Sequence, residues 1–304
     1  MSGLLPYQGI ATFLKSPQEA ERPFAFMGLP YDAATTFRSG ARMGPGAIRQ
    51  ASMMLTDGHH PIFGVDPCAL VNDYGDAPIN QVGQENAIQA VDDAVSGLLS
   101  RALHPVLAGG DHLVTLGVLR AMHRHHGVPL AVIHFDAHCD TWPDHFGDRI
   151  GHGTWVRNAV EEGLVDPTRF VQIGIRSPCD PVTSRWLASK GGIVVTPREA
   201  KGNFDHDWIE AWASSRIGPT YPTYVTFDID ALDPAYAPGT GTPEVGGLSS
   251  MDGLMMLESL KGLNLVGMDV VEVCPAYDPA GITALAAATM LWTYLAMMGS
   301  SQPQ

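Results

Sequence analysis

Three short stretches hold side chains able to grip divalent cations: GGDH ending at His112, DAHCD from Asp136 to Asp140, and DIDALDP from Asp228 to Pro234. Positions two apart in an extended chain point the same way, so Asp136, His138 and Asp140 can converge, as can Asp228 and Asp230. Cys139 then faces the opposite side and is not expected to be a ligand. His112 is added from a turn in which Gly109 and Gly110 let the backbone bend tightly and approach neighbouring loops. Carboxylates gathered without cations repel one another and take up protons. Two divalent ions, bringing about four positive charges, would balance the four carboxylates, and carboxylates can bridge ions about 3.5–4 Å apart. An oxygen-rich set with some imidazole suits manganese or magnesium better than zinc, which favours Cys, His and a tetrahedral shell. Two manganese ions are the expected cofactors, held by His112, Asp136, His138, Asp140, Asp228 and Asp230. Taken alone, GGDH reads as a turn with a helix cap, and DIDALDP as a strand end before a proline. DAHCD is harder to explain structurally, because charged residues seldom lie buried and unpaired behind a core strand.

These clusters need elements to place them. Apolar runs rich in Val, Ile and Phe alternate with stretches of helical period, which argues a mostly parallel sheet covered by helices on both faces. Strands are expected at 24–28, 69–71, 105–108, 130–135, 170–175, 193–195, 223–227 and 265–271. Helices are expected at 45–53, 85–103, 113–126, 182–189, 205–216, 251–260 and 282–297, with Ser249 or Ser250 and Gly281 as start signals. In open parallel sheets ligands bind outside the carboxyl ends of the strands. Each of the three clusters follows a strand, so all fall at one edge. No linker, charge block or internal repeat interrupts the chain, and one domain over 1–304 is expected, with 1–22 as an N-terminal extension.

The chain carries 32 acids against 18 bases, a formal charge of −14. That balance disfavours nonspecific binding to nucleic acid or anionic membrane and suits a cationic substrate. The four cysteines are scattered without a CxxC pair, which fits a reduced, cytoplasmic setting. No export signal is visible, and no window reaches the roughly 18 uninterrupted apolar residues of a membrane span.

GGDH, DAHCD and FDIDALDPAYAPGTGTPEVGG, in that order, resemble the ureohydrolase family of arginases, agmatinases and related guanidino hydrolases. The resemblance extends to RSGARMGPGAIRQAS (38–52), GHGT (151–154), QIGIR (172–176) and GMDVVEVCPAYDPAGITALAAAT (267–289), and so spans nearly the whole chain. It implies a three-layer α/β/α fold with a central, mostly parallel sheet of about eight strands and a binuclear manganese centre at the strand ends. By that resemblance His112, Asp136, Asp140 and Asp228 hold one ion, and Asp136, His138, Asp228 and Asp230 the other. Asp136 and Asp228 would bridge. A hydroxide generated between the ions would attack the poorly electrophilic guanidinium carbon, releasing an amine and urea. Asp230 would relay a proton, Glu272 would bind the guanidinium through parallel N–H bonds, and His152 would shuttle protons with a pKa suited to the task. His123, His125 and His126 fall at a helix end, where the dipole favours them without any catalytic role.

Arginases bind the head of their substrate partly through an Asn two residues after the DxHxD motif, and here that position is Trp142. The departure favours a substrate without an amino-acid head. Agmatine, yielding putrescine and urea, is the expected substrate, with Trp142 facing its chain or amine. The alternative is a guanidino acid, 4-guanidinobutanoate or 3-guanidinopropanoate, for which Arg149 or Arg157 would supply a cation. A zinc deacetylase shares the fold but needs only an Asp, a His and a second Asp, so the six-ligand set argues against it. A noncatalytic subunit would release no urea. The resemblance further implies a homo-oligomer, trimeric or hexameric.

Overall fold

The central strand-forming runs are buried on both faces, as expected for a parallel sheet, and Leu130–Phe135 lacks a single exposed side chain. The structure, a computed structural model, describes residues 8–16, 22–202 and 205–301. Eight strands form one parallel sheet: β1 (Phe24–Leu29), β2 (Val71–Asp76), β3 (His104–Gly109), β4 (Leu130–Phe135), β5 (Val165–Ile173), β6 (Ile193–Val195), β7 (Thr223–Asp228) and β8 (Leu265–Val271). Their order is β2-β1-β3-β8-β7-β4-β5-β6, and every adjacent pair is parallel.

Alternation along the strands divides the core in two. In β1, Phe24 and Phe26 join one cluster while Ala25 and Leu29 join the other. The first cluster is covered by α1 (Gly44–Ser52), α8 (His206–Arg216), α9 (Ser250–Glu258) and α10 (Ile282–Ser300). The second is covered by α2 (Gln84–Leu99), α3 (Val114–His126) and α4 (Trp155–Glu161). Short helices α5 (Pro181–Ser184), α6 (Trp186–Ser189) and α7 (Pro197–Ala200) fill the connections around β6. The result is the expected three-layer α/β/α arrangement. Helix α10 is long and apolar enough to cross a membrane by length and composition, but 61% of its window is buried, packed against the sheet, α1 and α9.

Several boundaries depart from expectation. The strand expected at 69–71 is β2, which starts at Val71 and continues to Asp76, while Ala69 closes a 3-10 turn. Its polar sequence VNDYGD hides a strand because Asn72 and Asp73 are buried and Asp73 is paired. Arg49, 8% exposed, bonds Asp73 at 2.7 Å and Asp76 at 2.6 Å. Removing the guanidinium would strand the buried Asp73 carboxylate, so Arg49→Met is expected to cost about 3–5 kcal/mol in urea unfolding. The helix expected over 182–189 is two short helices parted at Arg185, whose φ/ψ of −98°/1° is not helical. The helix expected over 85–103 ends at Leu99, and the one starting at Trp155 has no counterpart among the expected helices. The start signals hold better. Ser249 caps α9 in a reciprocal capping box with Asp252, and Gly281 precedes α10 in a left-handed conformation (φ 69°). Within the expected extension, Phe13 is fully buried, stacks on Phe26 at 4.2 Å and donates its N–H to Asp73, so residues 12–16 build into the fold.

Candidate metal centre and active site

Strands β3, β8, β7 and β4 are consecutive in the sheet, so the segments leaving their carboxyl ends are neighbours in space. His112 lies three residues beyond β3, Asp136 directly follows β4, Asp228 ends β7, and Glu272 directly follows β8. The backbone does not stay extended past these ends, contrary to the alternation argument. Asp136 Oδ1 accepts the His138 N–H at 2.6 Å and Asp228 Oδ1 the Asp230 N–H at 2.8 Å, curling both segments. Asp140 then adopts a left-handed φ of 51°, and this turn, not simple alternation, brings its carboxylate back to the cluster. Cys139 is turned away, its thiol 3.9 Å from that of Cys179.

The six expected ligands meet. His112 Nδ1 lies 3.0 Å from Asp136 Oδ2, 3.3 Å from Asp140 Oδ2 and 3.2 Å from Asp228 Oδ2. His138 Nδ1 lies 3.1 Å from Asp230 Oδ2 and 3.3 Å from Asp136 Oδ1. Asp136 is therefore common to two adjoining groups that could each hold an ion. The chemistry of the donors fits divalent cations. His112 Nδ1 is buried without a hydrogen bond although three carboxylate oxygens surround it. Its Nε2 contacts Thr226 Oγ1 at 2.8 Å, and Thr226 in turn donates to Asp269 at 2.6 Å. With its hydroxyl proton so committed, Thr226 accepts from Nε2–H, which leaves the Nδ1 lone pair facing the carboxylates, as a metal ligand requires.

Beside the cluster opens a pocket of about 490 Å³, within the range that holds small molecules. Asp140, Asp228, His138, Trp142, His152 and Glu244 are among its lining residues. Glu272, buried behind the lining residue His152, has a strained backbone, φ 62°, of the kind concentrated at functional sites. Its Oε1 accepts from His112 N at 3.0 Å and from His152 Nδ1 at 2.9 Å, while Oε2 is buried with no partner. The Gly110 carbonyl accepts the Glu272 N–H at 2.8 Å, and a Cβ on Gly110 would fall 1.7 Å from the Tyr31 carbonyl oxygen. Only glycine fits that crossing. Arg149 and Arg157 do not line the pocket: Arg149 pairs with Glu161 at 3.1 Å, and Arg157 lies over the Trp186 ring.

The Arginase family profile matches residues 22–297. The chain belongs to the Arginase family. It is 41% identical to a guanidinopropionase from Pseudomonas aeruginosa over 303 residues, 97% of this chain and 93% of that enzyme. It is also 41% identical to an agmatinase from Chromobacterium violaceum, covering 96% of this chain and 89% of the other. Among solved structures, a hypothetical agmatinase from Burkholderia thailandensis superposes with a TM-score of 0.87 at 40% identity, covering 96% of this chain and 92% of its own. The protein is thus an agmatinase-like ureohydrolase, a guanidino hydrolase acting on C–N bonds of linear amidines. Arginase-family enzymes are binuclear metal enzymes acting on small molecules, and the His/Asp cluster of this chain is compatible with that.

Several residues of this Arginase-family site carry no sequence signal of their own. His134, inside β4, donates Nε2–H to Asp136 Oδ2 at 2.8 Å, with Gln172 at its other nitrogen. Trp155 donates to Asp140 Oδ2 at 2.7 Å. Asp269 receives Thr115, Tyr224 and Thr226 hydroxyls and so fixes the His112 support. Asp111, fully buried, takes the Ala34 N–H.

Without cations the cluster is electrostatically frustrated. Burial and the adjacent Asp136 push the Asp140 carboxyl up to about 8, and burial with Asp230 and Asp136 lifts Asp228 well above the usual range. Burial opposes charging of His112 and His138, but hydrogen bonds and attraction from the surrounding aspartates hold both well above normal. Asp136 alone is depressed: burial disfavours its charge, yet the three histidines around it prevail. The raised groups bind protons more tightly folded than unfolded, so their stabilisation is complete below the unfolded pKa and disappears as pH rises through the folded one. For Asp140 that window runs from near the ordinary carboxyl value to about 8. Asp136 acts oppositely, but its loss lies in acid. Chelated protein is therefore expected to lose thermal stability between about pH 5 and 8, and manganese to restore it most at the alkaline end, by differential scanning fluorimetry.

Proposed function

We propose that this protein hydrolyses agmatine to putrescine and urea with two Mn2+ ions per subunit. The acids of the pocket carry the reading: Glu244, Asp140 and Asp228 line it, while the two arginines expected to greet a carboxylate point elsewhere. His112, Asp136, Asp140 and Asp228 would hold one ion and Asp136, His138, Asp228 and Asp230 the other. The ions supply Lewis acidity, making hydroxide available at neutral pH.

The chain's own groups do the rest. Glu272 Oε2, unpartnered and buried, accepts guanidinium N–H bonds and fixes the planar carbon. Asp230, with Oδ2 3.1 Å from His138 Nδ1, relays the proton that the departing amine needs. His152, hydrogen-bonded to Glu272, exchanges protons with the outer pocket; burial opposes its charging, but Glu272 raises its pKa above the ordinary value. Trp142 lines the wall where the aliphatic chain and distal amine would lie. A cation–π contact worth roughly 0.5–2 kcal/mol predicts that Trp142→Ala raises KM for agmatine by roughly 2- to 30-fold. An unchanged KM removes Trp142 from the site.

Arg38 favours a second reading. It also lines the pocket, with Nε on the Gly241 carbonyl at 3.1 Å, Nη2 on that of Thr240 at 2.8 Å and its face over Tyr277. A guanidino acid could meet that cation. Urea release from agmatine, 4-guanidinobutanoate and 3-guanidinopropanoate, side by side with added manganese, decides between them. The reading also includes a single domain over 1–304, a cytoplasmic setting and a homotrimer or homohexamer. Exposed Met54, Ile62 and Val82 support association, which sedimentation would test.

A further inference from the structure

The segment from Tyr31 to Gly40 reaches over the pocket from the end of β1, and two buried aspartates hold it. Asp32 accepts from Gly40 N at 2.7 Å and Arg42 N at 3.2 Å, and Asp111 accepts from Ala34 N at 2.9 Å. Thr36, on this segment, meets His152 twice. Its backbone N–H donates to His152 Nε2 at 3.1 Å, and its hydroxyl oxygen lies 2.9 Å from the same nitrogen. An amide N–H can only donate, so Nε2 carries a lone pair here and the ring proton is on Nδ1, directed at Glu272 Oε1. The His152 ring is thus gripped at both nitrogens, by groups on segments following β1 and β8.

The hydroxyl adds something that the amide lacks. A neutral His152 needs a donor at Nε2, whereas an imidazolium needs an acceptor there, and only an alcohol offers both. With amide alone, protonation sets two N–H groups against each other. We propose that Thr36 is a positioning residue whose hydroxyl keeps the His152 ring in one orientation in both of its protonation states, with Nδ1 always on Glu272. This rests on His152 exchanging protons during hydrolysis. Thr36 does not touch the metal cluster or Glu272, and it is exposed, so its replacement leaves the core intact.

The test compares Thr36→Val, which keeps shape and backbone N–H, with Thr36→Ser, which restores the hydroxyl. Loss of one such hydrogen bond predicts a kcat roughly 5- to 10-fold lower for Thr36→Val, with KM within about twofold of the parent, and recovery in Thr36→Ser. Crystals of the manganese-loaded variants give a readout independent of turnover: the His152 ring should lose its single orientation in Thr36→Val and keep it in Thr36→Ser. Parental kcat in Thr36→Val, a loss in KM alone, or Thr36→Ser behaving as Thr36→Val would each overturn the proposal. If the parent hydrolyses no guanidino compound, the proposed function fails, and the ring orientation alone still decides the role of Thr36.

Discussion

Under the proposed function, Asp136→Asn is expected to bind fewer than two metal ions and to release urea at least about a thousandfold more slowly than the parent, because the metals would supply the nucleophile. The exchange keeps the side-chain shape, so the change is one of charge. Asp136 is the carboxylate shared by both ligand groups, and His112, His134 and His138 all converge on it. An amide presents one oxygen and no charge, too little to join two cations. Metal counting after gel filtration and thermal shift with and without manganese separate the causes. The rise in Tm on adding manganese should shrink, and the chelated variant should itself melt below chelated parent, having lost a carboxylate that three histidines hold ionised. Two tightly held ions in this variant, or parental urea release, would remove Asp136 from the centre.

Glu272→Gln attacks the substrate instead. Oε1 already serves two donors, and the buried Oε2 is left for the guanidinium. An amide can turn its oxygen to His112 N and His152, but its NH2 then faces the guanidinium, donor against donor. Loss of the charge-assisted pair, together with that repulsion, predicts a fall in kcat/KM of about 10²–10³-fold, with two metals still bound. Steady-state kinetics with metal counting check this. A drop in metal content would place Glu272 with the ligands rather than with the substrate.

What the sequence reveals follows from range. Strands β4, β6 and β8 match their expected bounds because apolar runs announce them, broken only by His134 in β4 and by Gly267 and Asp269 in β8. The two-residue spacings single out the candidate ligand side chains, but these meet through turns at Asp136, Asp140 and Asp228 and not through the alternation that the spacing suggests. β2 departs from its expected bounds because its buried Asp73 is neutralised by Arg49, a partner far along the chain. The curl at Asp140 depends on a left-handed residue that no composition announces. The supports of the cluster are hidden in the same way: Thr226 meets His112 across 114 residues, and Thr36 meets His152 across 116. Arg149 and Arg157 neighbour GHGT in sequence, yet their side chains find partners on α4 and α6 instead.

The position of β8 between β3 and β7 has a consequence for how the molecule is born. Strands β1 to β3 and β4 to β7 pair within themselves, and among the described strands β8 alone hydrogen-bonds to both groups. On the ribosome, both must wait with an open seam until residue 271 has emerged. Premature termination upstream of β8 would leave two adhesive borders bare and hold His112, which follows β3, apart from the aspartates and histidine that follow β4 and β7.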